Sequence, residues 1–597
     1  MLDIYQSVSN YPYKLGSHSR KVTTTNADAQ TWFDRGLIWL FGFNLDEAAR
    51  CFTQAVACDD ACPMAHWGLA YALGPHYNFG WLSQGEAART ATVQKTFAAA
   101  QRALSVADAS SDLTPVEKAL VRAIQARYPQ QAPPTTLEEF GEWNRGYADA
   151  MEGVYREFPD DLDVAALYAD AMMTLTPWRL WDVSNGTPTP GARTLQAKVV
   201  LEKALGSPVA HGHPGLLHLY IHLMEMSPNP ELAIPFANLL RGLTPDSGHL
   251  QHMPSHIDVL VGAYDQAATA NQIAGTVDDV YLERHGLNSV YTTYVLHNIT
   301  SLIFAAMMAG NSTAALQGCD RLEHILTETF LSTKEPRMAD FAESFLSTRP
   351  HVLIRFGRWT DILSLPIPHD PVLYCVTTTT IHYAKAIAHA ALDQIPPAVH
   401  HQQLFLAALA TVPDSRLTYP NNCRKVLAVG QAMLDGEVAY RKGEHDLAFR
   451  RLHDAVAIED GLGYSEPPAW MVPTRHAAAA LLLEQDHVRE AARLYADDLG
   501  VAFEGKQPAL PRARRHPRNM WALAGYGECL GRLGMEGERG EVERELERAR
   551  RGADVRGEVS CFCRTGKGGE VRGNVFGKGQ EPRQGRDEGV GKTLEKL

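Results

Sequence analysis

Apolar residues recur at i, i+3 and i+4 along most of this chain, which predicts helices and few strands. The pattern is clear from Ala98 to Arg127 and from Val164 to Thr174. Strictly alternating runs are scarce, and Val372 to Thr380 is the best candidate for a strand. Pro and Gly fall between the helical runs, as at Thr187 to Gly191 and Pro366 to Pro371, where they act as breakers.

A longer period lies over the helical one. Residues 29–62 fit the 34-residue tetratricopeptide (TPR) register of two packed helices, with Trp32, Gly36 and Trp39 on the first and Ala48, Phe52 and Ala55 on the second. The small residues sit where two helices cross closely, and the large ones fill the gaps between them. A second unit follows with Gly68 and Tyr71. The register returns at Gly436, Ala448, Leu452 and Ala455, then at Ala491 and Tyr495, with a degenerate central copy at Gly262, Ala267 and Ala274. The fold class predicted is therefore all-α, a TPR-like helical-hairpin solenoid, or α-α superhelix. Its divisions are an N-terminal extension (1–28), a helical region holding a central histidine-rich pocket (29–400), C-terminal repeats (401–551) and a Gly-rich, charged tail (552–597). The tail is poor in aliphatic residues, and 568–597 read as disordered because they lack apolar surface to offset ordering entropy. A misassigned reading frame in the source gene would give the same composition.

Charge and cysteine usage narrow the partners. The 597 residues carry a net charge of −13, whereas phosphate binding needs a surplus of Lys and Arg, so no nucleic acid is expected. The longest apolar run, Leu302 to Ala309, is short of the ~20 residues a bilayer requires, so no membrane partner is expected. The opening Met1–Gln6 has neither a basic nor an apolar region of secretory type. Nine cysteines without framework spacing favour reduced thiols and a cytoplasmic setting, with Cys561-Phe562-Cys563 a weak soft-metal signal set against two free thiols.

The chemistry concentrates in one stretch. Seven of the 24 histidines fall between residues 211 and 256, namely His211, His213, His218, His222, His249, His252 and His256. At ~100° per residue, His218, His222 and Glu225 share one helical face. Two imidazoles and a carboxylate so placed can ligate one ion. The intervening Leu219, Ile221, Leu223 and Met224 are apolar, so the helix is buried and its polar face must find partners inside. In His252-Met253-Pro254-Ser255-His256, Pro254 belongs in the first turn of a new helix, with His252 at or just before the cap and His256 within the first turns. His297 is a further contributor. A hydrogen-bonded polar core is the competing reading of the same residues. His211 and His213 flank Gly212 and Pro214 and read as loop residues. Imidazole suits zinc, copper and iron alike, and the ligand surplus allows a dinuclear centre or outer-sphere roles for some members.

Several segments resemble a family of tetratricopeptide-repeat proteins found in bacteria and filamentous fungi. They are His213-Pro214-Gly215 through Glu225, Gly248 through Ile257 with its His-Met-Pro-Ser-His core, and His297-Asn298. Ala65 through Ala70 with Gly74-Pro75, Thr176-Pro177-Trp178, Glu466 through Trp470, and Pro517-Arg518-Asn519 with Trp521 belong to the same likeness. It spans most of residues 15–551. The resemblance implies a His/Glu motif at His218, His222, Glu225, His252, His256 and His297. Some fungal members sit beside natural-product biosynthetic genes, which implies secondary metabolism. The chain departs at His66 and His76, where Tyr and Asn are expected, and after Arg564.

Trp178, Arg179 and Trp181 precede a Gly/Pro loop and are candidates for pocket lining or helix-end packing, while Glu466, Arg475 and His476 face a cavity or form surface pairs. No phosphate loop and no nucleophile elbow occur. The expectation is a metal-dependent enzyme. Its ligands are His218, His222, Glu225, His252, His256 and His297, with Glu225 and His297 as ligands or acid/base groups. The cofactor is a divalent transition metal (zinc, copper or iron), and the partner a small-molecule substrate. The alternative is a non-catalytic scaffold for a partner protein.

Overall fold

The computed structural model describes residues 7–564 apart from 335, 336 and 558. Helices stack in antiparallel pairs along the chain, and the only strands among the described residues are two short antiparallel ribbons, Trp181–Asp182 with Thr187–Pro188 and Leu417–Thr418 with Asn421–Asn422. The first pair is Ala27–Phe41 with Leu45–Cys58, followed by Pro63–Ala72 and Glu86–Ala109. The central pair is Tyr264–His285 with Tyr291–Ala309, and Cys423–Arg441 with His445–Asp460 opens the C-terminal set. The chain is thus an all-α, TPR-like solenoid.

Small residues at the crossings explain the packing. A Cβ on Gly36 would meet Phe52 at 2.8 Å and one on Gly68 would meet it at 2.3 Å, so one ring is clamped between two helices that approach through glycine. Gly436 repeats this against Leu452 (2.8 Å) and Gly525 against Tyr495 (2.3 Å). Caps fix the helix starts: Asn26 accepts from the Asp28 and Ala29 amides, and Thr114 with Glu117 forms a reciprocal capping box. The N-terminal extension lies on this frame with Tyr13, Leu15 and Val22 buried.

Three expectations change. Of the strand candidate Val372–Thr380, the part from Cys375 onward belongs to the helix Cys375–Ala391 and Val372–Tyr374 form the turn before it. The Glu343 carboxylate accepts from the Val376 and Thr377 amides at the helix start, and the Thr379 and Thr380 hydroxyls donate back to the Cys375 and Val376 carbonyls, so the β-branched run is satisfied as helix. The Tyr291–Ala309 helix is long and apolar enough to cross a membrane, with mean hydropathy 1.2, but 89% of that window is buried in the protein. The third change concerns the start of the tail. Residues 553–557 and 559–564 pack back on the solenoid, with Val555, Cys561, Phe562 and Cys563 buried and Cys561 disulfide-bonded to Cys563, while the other seven cysteines are free. The segment read as disordered, 568–597, lies outside the described residues.

Two stability outcomes follow from this packing. Gly68→Ala would push a methyl into Phe52, and overpacking of this kind costs about 1–3 kcal/mol, read as a lowered thermal midpoint. Burial pushes the Glu437 carboxyl up to about 7, with Glu484 adding to the rise and Arg441 opposing it. Its unfolded value is ~4.3, so between these pH values the folded chain holds a proton that the unfolded chain releases. Stability therefore falls as pH rises through that window. Glu437→Gln is expected to remove this slope in melts across pH, raising the midpoint near neutral and alkaline pH and leaving it unchanged near pH 4.

Candidate metal centre

The site is built on close helix approaches. The helix Pro214–Glu225 starts on Pro214, and His213 caps it by accepting the Leu216 amide on Nδ1 at 3.2 Å. A Cβ on Gly215 would sit 2.5 Å from the Phe41 ring, so this helix lies down on the end of the first helical pair. That contact delivers the Phe41 carbonyl to His218, whose Nδ1 donates to it at 2.6 Å. After the intervening helix Ile234–Leu240 come two short helices, Gly248–His252 and Pro254–Leu260. Pro254 opens the second of these, as its fixed φ and missing N–H favour. His297 comes from the long Tyr291–Ala309 helix.

These elements bring six imidazoles together in two groups of three. In the first, the Nε2 atoms of His252 and His256 are 2.7 Å apart, those of His252 and His297 2.9 Å, and those of His256 and His297 3.4 Å. In the second, ligand atoms of His218, His222 and His249 lie within 4.8 Å of one another. The groups adjoin, with 5.7 Å between the ring centroids of His222 and His256 and likewise between those of His249 and His252.

Hydrogen bonds on the far side of His218, His222, His252 and His256 set their tautomers. Asn271 donates its amide to the Ala267 carbonyl, so its Oδ1 must accept the His252 Nδ1–H at 2.6 Å, which leaves the His252 Nε2 lone pair facing inward. His256 gives its Nδ1–H to Glu225 Oε2 at 2.6 Å, with Glu466 Oε2 2.9 Å away. His222 gives its Nδ1–H to Glu225 Oε1 at 3.0 Å. Glu225, which the sequence offered as a ligand or general base, therefore has both carboxylate oxygens engaged on histidine N–H groups.

Burial governs the electrostatics. It pushes His218, His249 and His252 well below the usual imidazole range, aided by neighbouring imidazoles, and takes His222 and His297 down to about 3. His256 goes the other way: burial opposes its charge, but Glu466 and Glu225 outweigh it and raise it to about 10. Burial raises the Glu225 carboxyl against the pull of His256.

The donor set fits a transition ion. Two ~2.0–2.1 Å bonds at a tetrahedral angle hold ligand nitrogens about 3.3 Å apart, close to the 2.7–3.4 Å spacing of the first group. A third cluster, His18, Asp163 and His213, does not fit. His213 accepts on Nδ1 and so carries its proton on Nε2, which it gives to Asp163, and Arg20 already neutralises Asp163 at 3.0 Å. His211 bonds the Leu205 carbonyl away from the site.

A cavity of about 520 Å³ opens against the first group, within the usual range for small-molecule sites. His256 and His297 reach it among mainly apolar and aromatic side chains, including Phe79, Trp178, Tyr294, Phe345 and Trp470. Of the pocket candidates from sequence, Trp178 and Glu466 line this cavity, whereas Trp181 is spent on the Leu223 carbonyl and Arg179 is exposed. Arg475 and Glu466 line a smaller neighbouring space of about 90 Å³, and His476 is bound beneath it to Asp498. Of the two departures, His76 packs on Phe43 beside the second group, while His66 bonds Asp60 instead. His249 and Asn271 were not assigned from sequence. His249 precedes His252 and His256 by three and seven positions, which was a usable helical signal, whereas Asn271 arrives from another helix without a local one.

No protein-family model and no curated protein matches this chain. Among solved structures it is similar to a monomeric IFIT1 mutant with m7Gppp-AAAA, at 14% identity and TM-score 0.28, covering 82% of this chain and 90% of that one. It is also similar to Naa15/Naa10 bound to HypK-THB, at 12% identity and TM-score 0.18, covering 87% and 74%. At these scores neither superposition transfers a ligand or a site to this chain.

Proposed function

We propose that this chain is a metal-dependent enzyme acting on a small, largely apolar molecule held in the 520 Å³ cavity. His252, His256 and His297 would hold a divalent transition ion, zinc, copper or iron, at the cavity wall. The observation that carries this reading is the convergence of three Nε2 atoms within 3.4 Å, with acceptors on the Nδ1 edges of His252 and His256. When bound, such an ion supplies Lewis acidity toward a carbonyl or water, or redox chemistry toward oxygen if it is copper or iron.

The chain's own residues then divide the work. Asn271 and Glu225 are positioning residues that fix the tautomers of His252 and His256. The proton-accepting role that the sequence suggested for Glu225 passes to Glu466. That carboxylate lines the cavity, accepts the Tyr464 hydroxyl on one oxygen and faces His256 with the other. His297 is the most accessible ligand and borders the substrate space. Trp178 and Trp470 offer aromatic walls and exclude water from an apolar substrate. The resemblance to bacterial and fungal TPR proteins, some encoded beside natural-product genes, supports a secondary-metabolite intermediate as that substrate.

Elemental analysis of the purified chain tests this. Metal should be retained through gel filtration and the cavity-side ion lost in His252→Ala and in His297→Ala. Absence of bound zinc, copper or iron after loading would sink the enzyme reading and leave a partner-binding scaffold. Asn271→Leu keeps all ligands but frees the His252 tautomer, and loss of such an outer partner should weaken metal affinity about 10–100-fold in chelator competition.

A further inference from the structure

Behind the cavity-side group lie three imidazoles that the proposed reaction does not use. His218 Nε2, His222 Nε2 and both ring nitrogens of His249 are buried with no hydrogen-bond partner. Buried polar atoms are nearly always satisfied in native proteins, so four orphans on three adjoining rings need an explanation. Two of the rings have settled tautomers. The Phe41 carbonyl can only accept, so His218 carries its proton on Nδ1 and presents a bare Nε2. His222 spends its Nδ1–H on Glu225 and likewise presents a bare Nε2. His249 completes the set, with ligand atoms of all three within 4.8 Å of one another.

The surroundings exclude other uses of these nitrogens. The Phe43 ring lies 4.4 Å from that of His218 and stacks at 5.8 Å on both His222 and His249, and Tyr77 covers His222 at 5.1 Å. Phe43 holds a left-handed backbone, φ 56°, which a bulky residue rarely adopts and which the packing here enforces. No carboxylate or cation of the described residues is bonded to the three inward nitrogens. The contrast with His18, Asp163 and His213 is direct, because there the ring protons point into the cluster and Arg20 supplies the charge.

We propose that His218, His222 and His249 hold a second metal ion, so that the chain carries a two-ion, all-imidazole centre whose halves share Glu225 as a common outer carboxylate. The cavity-side ion comes from the preceding reading; the inner ion stands on its own residues. An uncharged set of three imidazoles, with no thiolate and no direct carboxylate, selects late first-row ions such as copper or zinc over calcium or magnesium.

Stoichiometry separates the two sites. The full-length chain is stripped with chelator, loaded separately with Zn²⁺ or Cu²⁺, gel-filtered and analysed for metal per chain. The wild type should retain about two ions, His218→Ala and His249→Ala about one, and His252→Ala with His297→Ala about one, each pair losing a different ion. Circular dichroism confirms that each variant folds. If the inner-site variants do not fold, Co²⁺ titration of the wild type decides, with absorbance saturating near two equivalents if both sites exist and near one if the inner site is absent. A single ion that is lost in His297→Ala but kept in His249→Ala overturns the inner site and leaves the cavity site standing. A single ion with the reverse pattern supports the inner site and removes the cavity site. No retained ion overturns both.

Discussion

Two imidazole N–H groups end on one buried carboxylate, and the rest of the centre depends on that arrangement. His222 takes one oxygen of Glu225 and His256 takes the other. The first contact lies within the helix Pro214–Glu225, and the second ties that helix to Pro254–Leu260. A carboxylate this deep is expensive to bury alone. The two imidazole N–H groups that end on it offset that cost. Once both protons point outward to carboxylate, the remaining nitrogens of both rings must point inward. Glu225 therefore decides which atoms of its neighbours are available for chemistry, without having a free oxygen of its own.

The solenoid supplies rigidity around this point. Glycines let the backbone approach neighbouring side chains closely, as at Gly215 against Phe41 and Gly248 against Asp278. The cleanest repeats lie near the two ends of the solenoid, and the loosest ones lie in the centre, where the short helices Gly248–His252 and Pro254–Leu260 interrupt the longer ones and polar groups are buried. Regular repeat packing rewards apolar contacts between neighbours. Departing from it at one place makes room for six histidines and for a cavity beside them. The apolar wall of that cavity and the polar floor beneath it come from segments hundreds of residues apart, Phe79 and Trp470 among them.

Legibility followed the range of the interactions. The pairing of Gly36 and Gly68 with Phe52 is local, and so is the shared face of His218, His222 and Glu225; both could be read from spacing alone. The association of Glu466 with His256 joins positions that no periodicity connects. Asn271 is likewise silent in sequence, because an asparagine in a helix says nothing about which ring it will hold. Val376–Thr380 misled for another reason. Its β-branched residues favour extended backbone, and a distant carboxylate, Glu343, caps the helix that forms instead. The charged tail composition hid a short apolar cluster, Val555 and Cys561 to Cys563, that packs against the body.

That returning segment changes the mechanics of the whole array. Asp554 caps the helix that begins at Ser312, Phe562 fills the space over Gly357, Ser560 meets Tyr495, and Arg564 pairs with Glu528. An open stack of repeats can fray from its last unit inward, one interface at a time. Here Asp554 and Phe562 are fastened to the middle of the molecule, so this segment acts as a clasp. Peeling back the final hairpin means first undoing contacts such as that of Asp554 with Ser312, 242 positions apart in sequence.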